Sequence, residues 1–205
     1  MAEMAHVDAS FPKAWSGRIA YVISMGGSPP VLAVGSMALI AATFPGPRVW
    51  TLASVYVFLS IFLPLLYVFW LVHAGRITDI DIQLREQRVG PLVITIAAGG
   101  LSYVVLRIGN APPVMAVVGL ALWLETMIIL IITLKWKVSM HSAAAAGAAT
   151  LIWCIFGKSL PLLIGVPIIA WSRVRLRRHT IAQTIVGALL GITVFLAVII
   201  LATRP

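Results

Sequence analysis

Two apolar runs, residues 50–72 and 181–203, decide what this chain can become. Each is long enough to cross the hydrocarbon layer of a bilayer as a helix, which takes about 20 mainly apolar residues. Hydrophobic residues make up 61% of the chain and charged residues only 10%, whereas a soluble domain carries about 25% charged residues. The sequence therefore predicts an all-α integral membrane protein.

Shorter apolar runs lie between proline, glycine and charged residues, at 29–44, 91–106, 113–134, 142–156 and 160–171. Several of them need tilt or partial burial in order to cross a bilayer. We therefore expect a polytopic helix bundle with six or seven transmembrane helices, depending on whether the first and last of these runs both cross. One transmembrane domain, residues 28–205, is expected to follow a leader of residues 1–27.

The leader carries aromatic and basic residues in the pattern of a helix that lies on a membrane surface. Phe11 and Trp15 suit the apolar side of such a helix, and Lys13 and Arg18 suit contact with lipid headgroups. An unstructured tail is the alternative interpretation. In either case the leader does not have the pattern of a secretory signal, since acidic residues precede its apolar stretch.

If every apolar run crosses once, three polar loops share one side of the membrane: residues 75–90, 135–141 and 172–179. Together with the N-terminus they hold eleven of the lysines and arginines, against four on the opposite side. Because basic residues accumulate on the cytoplasmic side, we expect this polar face and the N-terminus in the cytoplasm. The net charge of +9 then predicts anionic lipid headgroups, and not nucleic acid, as a partner.

The last polar loop joins a basic run to the start of an apolar helix. Ser172 and Arg173 are followed by His179, and Gln183 comes one helical turn after the histidine. Positions four apart share a helix face, so Gln183 is predicted to hydrogen-bond the His179 ring. The other arginines of the run are predicted to contact lipid headgroups: Arg175, Arg177 and Arg178.

The preceding polar loop ends in Ser139 and His141, directly before a run of small residues at 142–150. A helix that begins there directs unpaired backbone N–H groups toward an anion. These two loops resemble the second and third signatures of the type 2 phosphatidic acid phosphatase superfamily, the group of lipid phosphatases and vanadium haloperoxidases.

The resemblance implies a reaction and a role for each residue. His179 would attack phosphorus to form a phosphohistidine, Gln183 would orient its ring, and His141 would protonate the departing lipid alcohol. No metal or other cofactor is implied. The residues implied as phosphate ligands are Ser139, Ser172 and Arg173.

The first family signature, a lysine followed at a distance by Arg-Pro, falls on Gln83 and on Gly90 with Pro91, so that only the proline is kept. Arg85 and Arg88 lie close by, and both are candidates to replace the missing phosphate-binding residues because guanidinium binds phosphate bidentately.

Two other positions depart from the family: Met140 stands where it has glycine, and Gln183 where it has aspartate. A glutamine orients a histidine but supplies no charge to balance the imidazolium. Two functions therefore stay open. The chain is either an active lipid phosphatase, or a catalytically silent member that binds lipid or serves as a structural subunit of a membrane complex.

An aspartate pair, Asp79 and Asp81, also resembles the diphosphate-binding motif of membrane prenyltransferases, which hold magnesium. Those enzymes use two acidic clusters and this chain has one, so a solvated loop is the preferred interpretation. Glu125, in the middle of run 113–134, is expected to face the bundle interior or a wet cavity. Gly187 and Gly191 predict a close helix contact, either within the bundle or with another membrane protein or a second copy.

Overall fold

A computed structural model describes residues 14–203, and all regular structure in that range is helical, as predicted. The helices are α1 (Trp15–Gly26), α2 (Pro29–Ala41), α3 (Pro47–His73), α4 (Val89–Ile108), α5 (Pro113–Thr133), α6 (Met140–Phe156), α7 (Val166–Arg175) and α8 (Ile181–Thr203). A 3-10 turn, Arg85–Arg88, precedes α4, and a π-helical turn, Pro161–Gly165, runs directly into α7.

A second π-helical turn, Phe58–Phe62, interrupts α3 just before Pro64. Proline has no N–H to donate to the carbonyl one turn back, and its ring crowds that carbonyl. A wider turn relieves this crowding, and such bulges are a common answer to proline inside a helix. The Ser60 hydroxyl donates to the Tyr56 carbonyl oxygen at 2.7 Å within the widened turn.

Four helices are long and apolar enough to cross a membrane: Pro47–His73, Arg85–Ile108, Pro113–Thr133 and Ile181–Thr203. A fifth crossing results if α1 and α2, which meet at a 46° bend, count as one broken span. The predicted six or seven transmembrane helices are therefore not confirmed. Two of the expected crossings are short in the structure: α6 has 17 residues, and α7 has 10 after the π-helical turn of 5 residues that leads into it.

The α6 helix lies in the centre of the bundle. It is buried without a break from His141 to Leu151, and it packs against α2, α7 and α8. Its alanines allow this close approach, and the ring of Phe195 from α8 lies over Gly147, where an added Cβ would come within 2.5 Å of the ring. The apolar run 142–156, which was expected to cross the membrane, thus lies for much of its length inside the protein.

Glu125 of α5 faces the bundle interior, as expected for a carboxylate within an apolar run. Its side chain is only 4% exposed, and its Oε1 atom has no hydrogen-bond partner. The division of the chain at residues 27 and 28 stays a prediction.

Gly187 and Gly191 form the contact between α8 and α6. A Cβ on Gly187 would collide with the Ser139 carbonyl oxygen, and one on Gly191 with the Ala143 carbonyl oxygen. Because backbone cannot yield as a side chain can, Gly191→Ala is expected to lower the free energy of unfolding by about 1–3 kcal/mol. Unfolding of the purified protein in mixed micelles measures this change.

The matched control for that variant is Gly35→Ala in α2, where an added Cβ meets nothing within 4 Å. This exchange removes backbone freedom from the unfolded chain, so it is expected to be neutral or to stabilise by up to about 1 kcal/mol. Equal stability of Gly191→Ala and the wild type would contradict the α6–α8 contact described above.

Candidate functional site

Three polar loops meet at one end of the bundle, held together by hydrogen bonds between them. Arg88 Nη1 donates to the Val138 carbonyl oxygen at 3.1 Å, and Lys137 Nζ donates to the Arg178 carbonyl oxygen at 2.8 Å. The Ser139 N–H donates to the carbonyl oxygen of Gln183, at the start of α8, at 3.1 Å. The loops that carry the three sequence patterns are therefore neighbours in space.

The predicted bond between His179 and Gln183 is present: Nδ1 of the imidazole lies 2.9 Å from Oε1 of the amide. The same Oε1 accepts from the Thr180 N–H at 3.3 Å, and the Gln183 N–H donates to the Thr180 hydroxyl at 3.3 Å. This reciprocal pair is a capping box at the start of α8. Since a backbone N–H only donates, Oε1 is an acceptor, so Nδ1 of His179 carries a proton, and in the neutral ring Nε2 is then unprotonated.

His179 lies at a basic pocket with a volume of about 410 Å³. The imidazole itself is 6% exposed, so it forms part of the wall and does not project into solvent. The lining residues are Lys137, Val174, Arg177, Arg178, His179, Thr180 and Gln183. An anion that enters this pocket meets three basic side chains, Lys137, Arg177 and Arg178, and the imidazole of His179.

Burial sets the protonation of two groups in the pocket. It lowers the pKa of His179 to about 3, and the nearby charges of Arg88, Lys137 and Arg173 act in the same direction. Burial also lowers the pKa of Lys137, to about 8, and the nearby positive charges of Arg88 and Arg173 add to this effect. At neutral pH the imidazole is therefore uncharged, with a free lone pair on Nε2, while most of the Lys137 population is still ammonium.

Arg173, at the end of α7, lies behind this pocket and is only 2% exposed. Its Nη1 donates to the Ser24 hydroxyl at 2.6 Å and to Asp81 Oδ2 at 3.1 Å, and it lies 3.4 Å from His141 Nε2. Its Nε is buried without a partner. The arginine predicted to bind phosphate is therefore next to the predicted acid, His141, and already holds an anion.

That anion is Asp81, from the loop between α3 and α4. Besides Arg173, its carboxylate lies 3.9 Å from His141 Nε2 and 3.9 Å from Arg178 Nε. Burial by itself raises the pKa of this carboxyl, but Arg173, His141 and Arg178 together outweigh burial and hold the pKa below its usual value. The solvated-loop interpretation holds for Glu86, which is exposed and pairs with Arg85, but not for Asp81, which is an ion-pair partner inside the site.

The α1 helix closes the site from the side. Besides the bond from Arg173 to Ser24, the Arg175 Nη2 group donates to the Ser16 hydroxyl at 2.7 Å. The face with Trp15, Ile19 and Val22 points away from the protein and is exposed. An exposed apolar face suits an interfacial helix and equally the first part of a broken α1–α2 span, so the interfacial leader stays a prediction; its Phe11 and Lys13 lie outside the described residues.

Of the other predicted residues, Arg88 lies at the site, whereas the hydroxyls of Ser139 and Ser172 bond within their own helices. Arg88 is buried next to the site, with Nε donating to the Ile82 carbonyl oxygen at 2.8 Å. Ser139 is the N-cap of α6, and its Oγ accepts from the Ser142 N–H at 3.3 Å. Ser172 donates to the Ile169 carbonyl oxygen within α7 at 2.7 Å, so its hydroxyl serves its own helix.

Arg85 is not brought to His179. It pairs with Glu86 at 3.2 Å and donates to the Leu134 carbonyl oxygen at 3.2 Å. It lines a separate pocket with Val89 and Thr133. The 3-10 turn places Arg88 inward and Arg85 outward, so of the two candidates only Arg88 lies at the site.

Four residues of the site were not predicted from the sequence: Ser24, Asp81, Lys137 and Arg178, of which Arg178 was expected to contact lipid headgroups and instead lines the pocket and faces Asp81. Ser24 sits in an apolar helix and gives no signal. Asp81 and Lys137 lie in polar loops, where a charged side chain is usually solvated. The signal for Lys137 is its position two residues before the Ser139 cap, which directs it toward the same helix start.

No family model matches the chain, and searches of curated proteins and of solved structures found no match. The class that fold and site define is a helical membrane protein with a basic, histidine-containing pocket at one end of its bundle.

Proposed function

We propose that this chain is a lipid phosphatase of the type 2 phosphatidic acid phosphatase kind, which hydrolyses a lipid phosphomonoester or diphosphate through a phosphohistidine on His179. The observation that carries the proposal is the 2.9 Å bond between His179 Nδ1 and Gln183 Oε1. It leaves Nε2 unprotonated at a basic pocket, which is the state a nucleophilic histidine needs.

The proposed reaction uses the groups around that pocket. Lys137, Arg178 and, from behind, Arg173 hold the phosphate oxygens, and His179 Nε2 attacks phosphorus as the bond to the lipid oxygen breaks. The arriving phosphate adds negative charge near His141 and favours its protonated form, so that His141 gives its proton to the leaving lipid alcohol. Water then attacks the phosphohistidine, returns a proton to His141 and releases inorganic phosphate.

The proposed orientation places this end of the bundle, and the N-terminus, at the cytoplasmic surface. The surplus of basic residues there supports it. The exposed apolar face of α1, with Trp15, Ile19 and Val22, supports contact between this helix and the boundary of headgroups and acyl chains. A lipid phosphate would reach His179 from that boundary, among anionic headgroups that Arg175 and Arg177 contact.

The test is release of phosphate by the purified protein in the presence of chelator. Phosphatidic acid, phosphatidylglycerol phosphate and a polyprenyl phosphate are suitable substrates. We expect release from at least one of them that chelator does not reduce, since no step uses a metal. Absence of release from the whole panel would contradict an active phosphatase.

A catalytically silent, lipid-phosphate-binding protein is the second candidate, and one observation favours it. The Asp81 carboxylate already pairs with Arg173 at 3.1 Å, while Gln183 supplies no charge to His179. Such a protein would bind phosphatidic acid at equilibrium without releasing phosphate, and would act as a subunit of a membrane complex or of a homo-oligomer. Binding without release, measured on the same preparation, distinguishes it from the enzyme.

The lowered pKa of Lys137, about 8, predicts how phosphate binding depends on pH. Below that value the side chain is charged and attracts phosphate, and above it the charge is lost. We therefore expect the dissociation constant for phosphatidic acid to rise about tenfold between about pH 7 and pH 9. Titration of the wild type across this range measures the change.

Lys137→Arg is the matched control, because arginine stays charged across that range. Its dissociation constant is expected to change by less than about twofold. An equal loss of affinity in Lys137→Arg would assign the pH dependence to another group.

A further inference from the structure

We propose that Asp81 is an internal competitor for the anion site: its carboxylate occupies the position on Arg173, His141 and Arg178 that a phosphate group takes when it binds. This inference rests on the proposed function only in taking a phosphate as the ligand, and it holds whether or not that phosphate is hydrolysed. It assigns the loop between α3 and α4 as the element that keeps the site closed.

The geometry carries the proposal. Three basic side chains from two different helices and the following loop converge on one carboxylate. Oδ2 lies 3.1 Å from Arg173 Nη1 and 3.9 Å from Arg178 Nε, and Oδ1 lies 3.9 Å from His141 Nε2. Arg178 also lines the pocket of His179, so the carboxylate of Asp81 joins a residue of the pocket wall to the buried Arg173. A phosphate at His179 that reaches Arg173 must replace this carboxylate.

Arg173 itself has unused capacity for a ligand. Its Nε is buried and has no hydrogen-bond partner, although the side chain is only 2% exposed. A buried donor without a partner is rare and costly. A carboxylate that engages Nη1 alone leaves this donor unsatisfied, whereas a phosphate offers more acceptor oxygens. The present ion pair is therefore an incomplete substitute for a better ligand.

The loop that carries Asp81 is held closed against local strain. Ile82, the next residue, has a φ of 45°, a left-handed conformation that is a true outlier for a β-branched side chain. Packing of Ile77 and Ile82 on Val68 and Leu71 holds the loop in place. The side chain of Asp81 is 33% exposed, so the carboxylate has a route to solvent when an anion replaces it.

A competitor of this kind sets a threshold for every anion. The apparent dissociation constant equals the intrinsic value divided by the fraction of molecules in which Asp81 is out of the site, and this factor is the same for all ligands. Abundant lipids with weakly held headgroups then stay unbound, and a tightly held phosphomonoester still binds. An equal factor for every ligand distinguishes a competitor from a residue that positions Arg173 and His141, and from a charge that only repels anions.

The experiment compares Asp81→Asn with the wild type. The ligands are inorganic phosphate, dihexanoyl phosphatidic acid and dihexanoyl phosphatidylglycerol, and their binding is measured at equilibrium in micelles. Asp81→Asn keeps the size of the side chain and removes its charge. We expect its dissociation constants to fall by about tenfold for all three ligands alike. Using inorganic phosphate beside the lipids shows that the factor belongs to the phosphate group and not to the acyl chains.

Asp79→Asn is the matched control, since it removes the same charge two residues away. The Asp79 carboxylate accepts from the Thr78 hydroxyl and acts on Arg88, Lys137 and Arg173 only from a distance, without an ion pair to any of them. This variant is expected to change each dissociation constant by less than about twofold. Weaker binding in Asp81→Asn would overturn the proposal and make Asp81 a positioning residue for Arg173 and His141. A gain confined to the dianionic ligands would also overturn it, because simple repulsion scales with ligand charge.

A second measurement needs no variant. In the wild type, hydrogen exchange of backbone amides in residues 76–84 is expected to rise on saturation with inorganic phosphate, since the loop loses its anchor on Arg173. Unchanged exchange at saturation, or the absence of phosphate binding by wild type and variant alike, would overturn the proposal. If these binding changes are observed but no phosphate is released, the proposed phosphatase activity is wrong and the proposal that Asp81 competes for the anion site stands.

Discussion

Phosphate release from a lipid phosphomonoester is expected to fall to background when His179 is replaced by alanine. The imidazole Nε2 is the proposed nucleophile, and removal of a nucleophile that forms a covalent intermediate costs about 10⁴-fold or more in rate. Binding of the lipid is expected to change little, because the proposed phosphate ligands, Lys137, Arg173 and Arg178, stay in place. Release rates and equilibrium binding, measured on one preparation of His179→Ala, separate the two effects.

His73→Ala is the control for that experiment. His73 ends α3, is exposed, and takes no part in the site, so its loss is expected to leave the release rate within about twofold of wild type. Release that persists in His179→Ala at the wild-type rate would place the chemistry elsewhere. Loss of both release and lipid binding in His179→Ala would point to a collapsed site and not to a missing nucleophile.

Gln183→Glu is expected to raise the rate of phosphate release by about 10-fold to 10³-fold. The side chain keeps its length, so the new carboxylate takes the place of an oxygen already 2.9 Å from His179 Nδ1. A negative charge there stabilises the imidazolium that forms as His179 attacks, and the reverse change, carboxylate to amide, costs about 10⁴-fold in a catalytic triad. The capping box at the start of α8 is kept, since glutamate serves there as well as glutamine.

The same variant has a pH signature. The pKa of His179 is about 3 in the wild type, so the ring stays neutral and competent well into the acid range. A carboxylate at position 183 favours the charged ring and raises that pKa. The acid limb of the rate profile is therefore expected to move to higher pH in Gln183→Glu. A faster enzyme with an unmoved acid limb would mean that the gain does not act through His179.

Gln183→Asp and Gln183→Leu complete the series. Aspartate stands at the matching position of the superfamily whose motifs this chain resembles. It is shorter by one methylene and reaches Nδ1 less well, so its gain is expected to be smaller than that of glutamate. Leucine removes both the bond to His179 and the capping box, and is expected to lower the rate and the stability. A rate in Gln183→Glu no higher than in Gln183→Leu would contradict the orienting role of Gln183.

Local features of this fold were predictable from the sequence. The long apolar runs at α3 and α8 were found because each fills a bilayer thickness without a break. The bond between His179 and Gln183 was found because residues four apart on a helix must be neighbours. Both features depend on residues of one helix or its first turn, so the local sequence is enough to predict them.

Features that depend on packing between elements were not predictable in the same way. The α6 helix reads as a membrane span by composition, but its position inside the bundle depends on which neighbours cover it. Arg85 and Arg88 are equivalent in sequence, and only the 3-10 turn separates their directions. Asp81 and Ser24 reach Arg173 from two distant parts of the chain, and no spacing rule connects them.

The proposed reaction passes through a phosphate that is covalently bound to Nε2 of His179. The direct measurement is a rapid acid-free quench of the wild type with phosphatidic acid labelled in its phosphate, followed by mapping of the labelled peptide. The account predicts an acid-labile, base-stable label on His179 that is absent from His179→Ala and is chased by water as inorganic phosphate. Phosphate release without any label on His179, or a label that persists in His179→Ala, would contradict it.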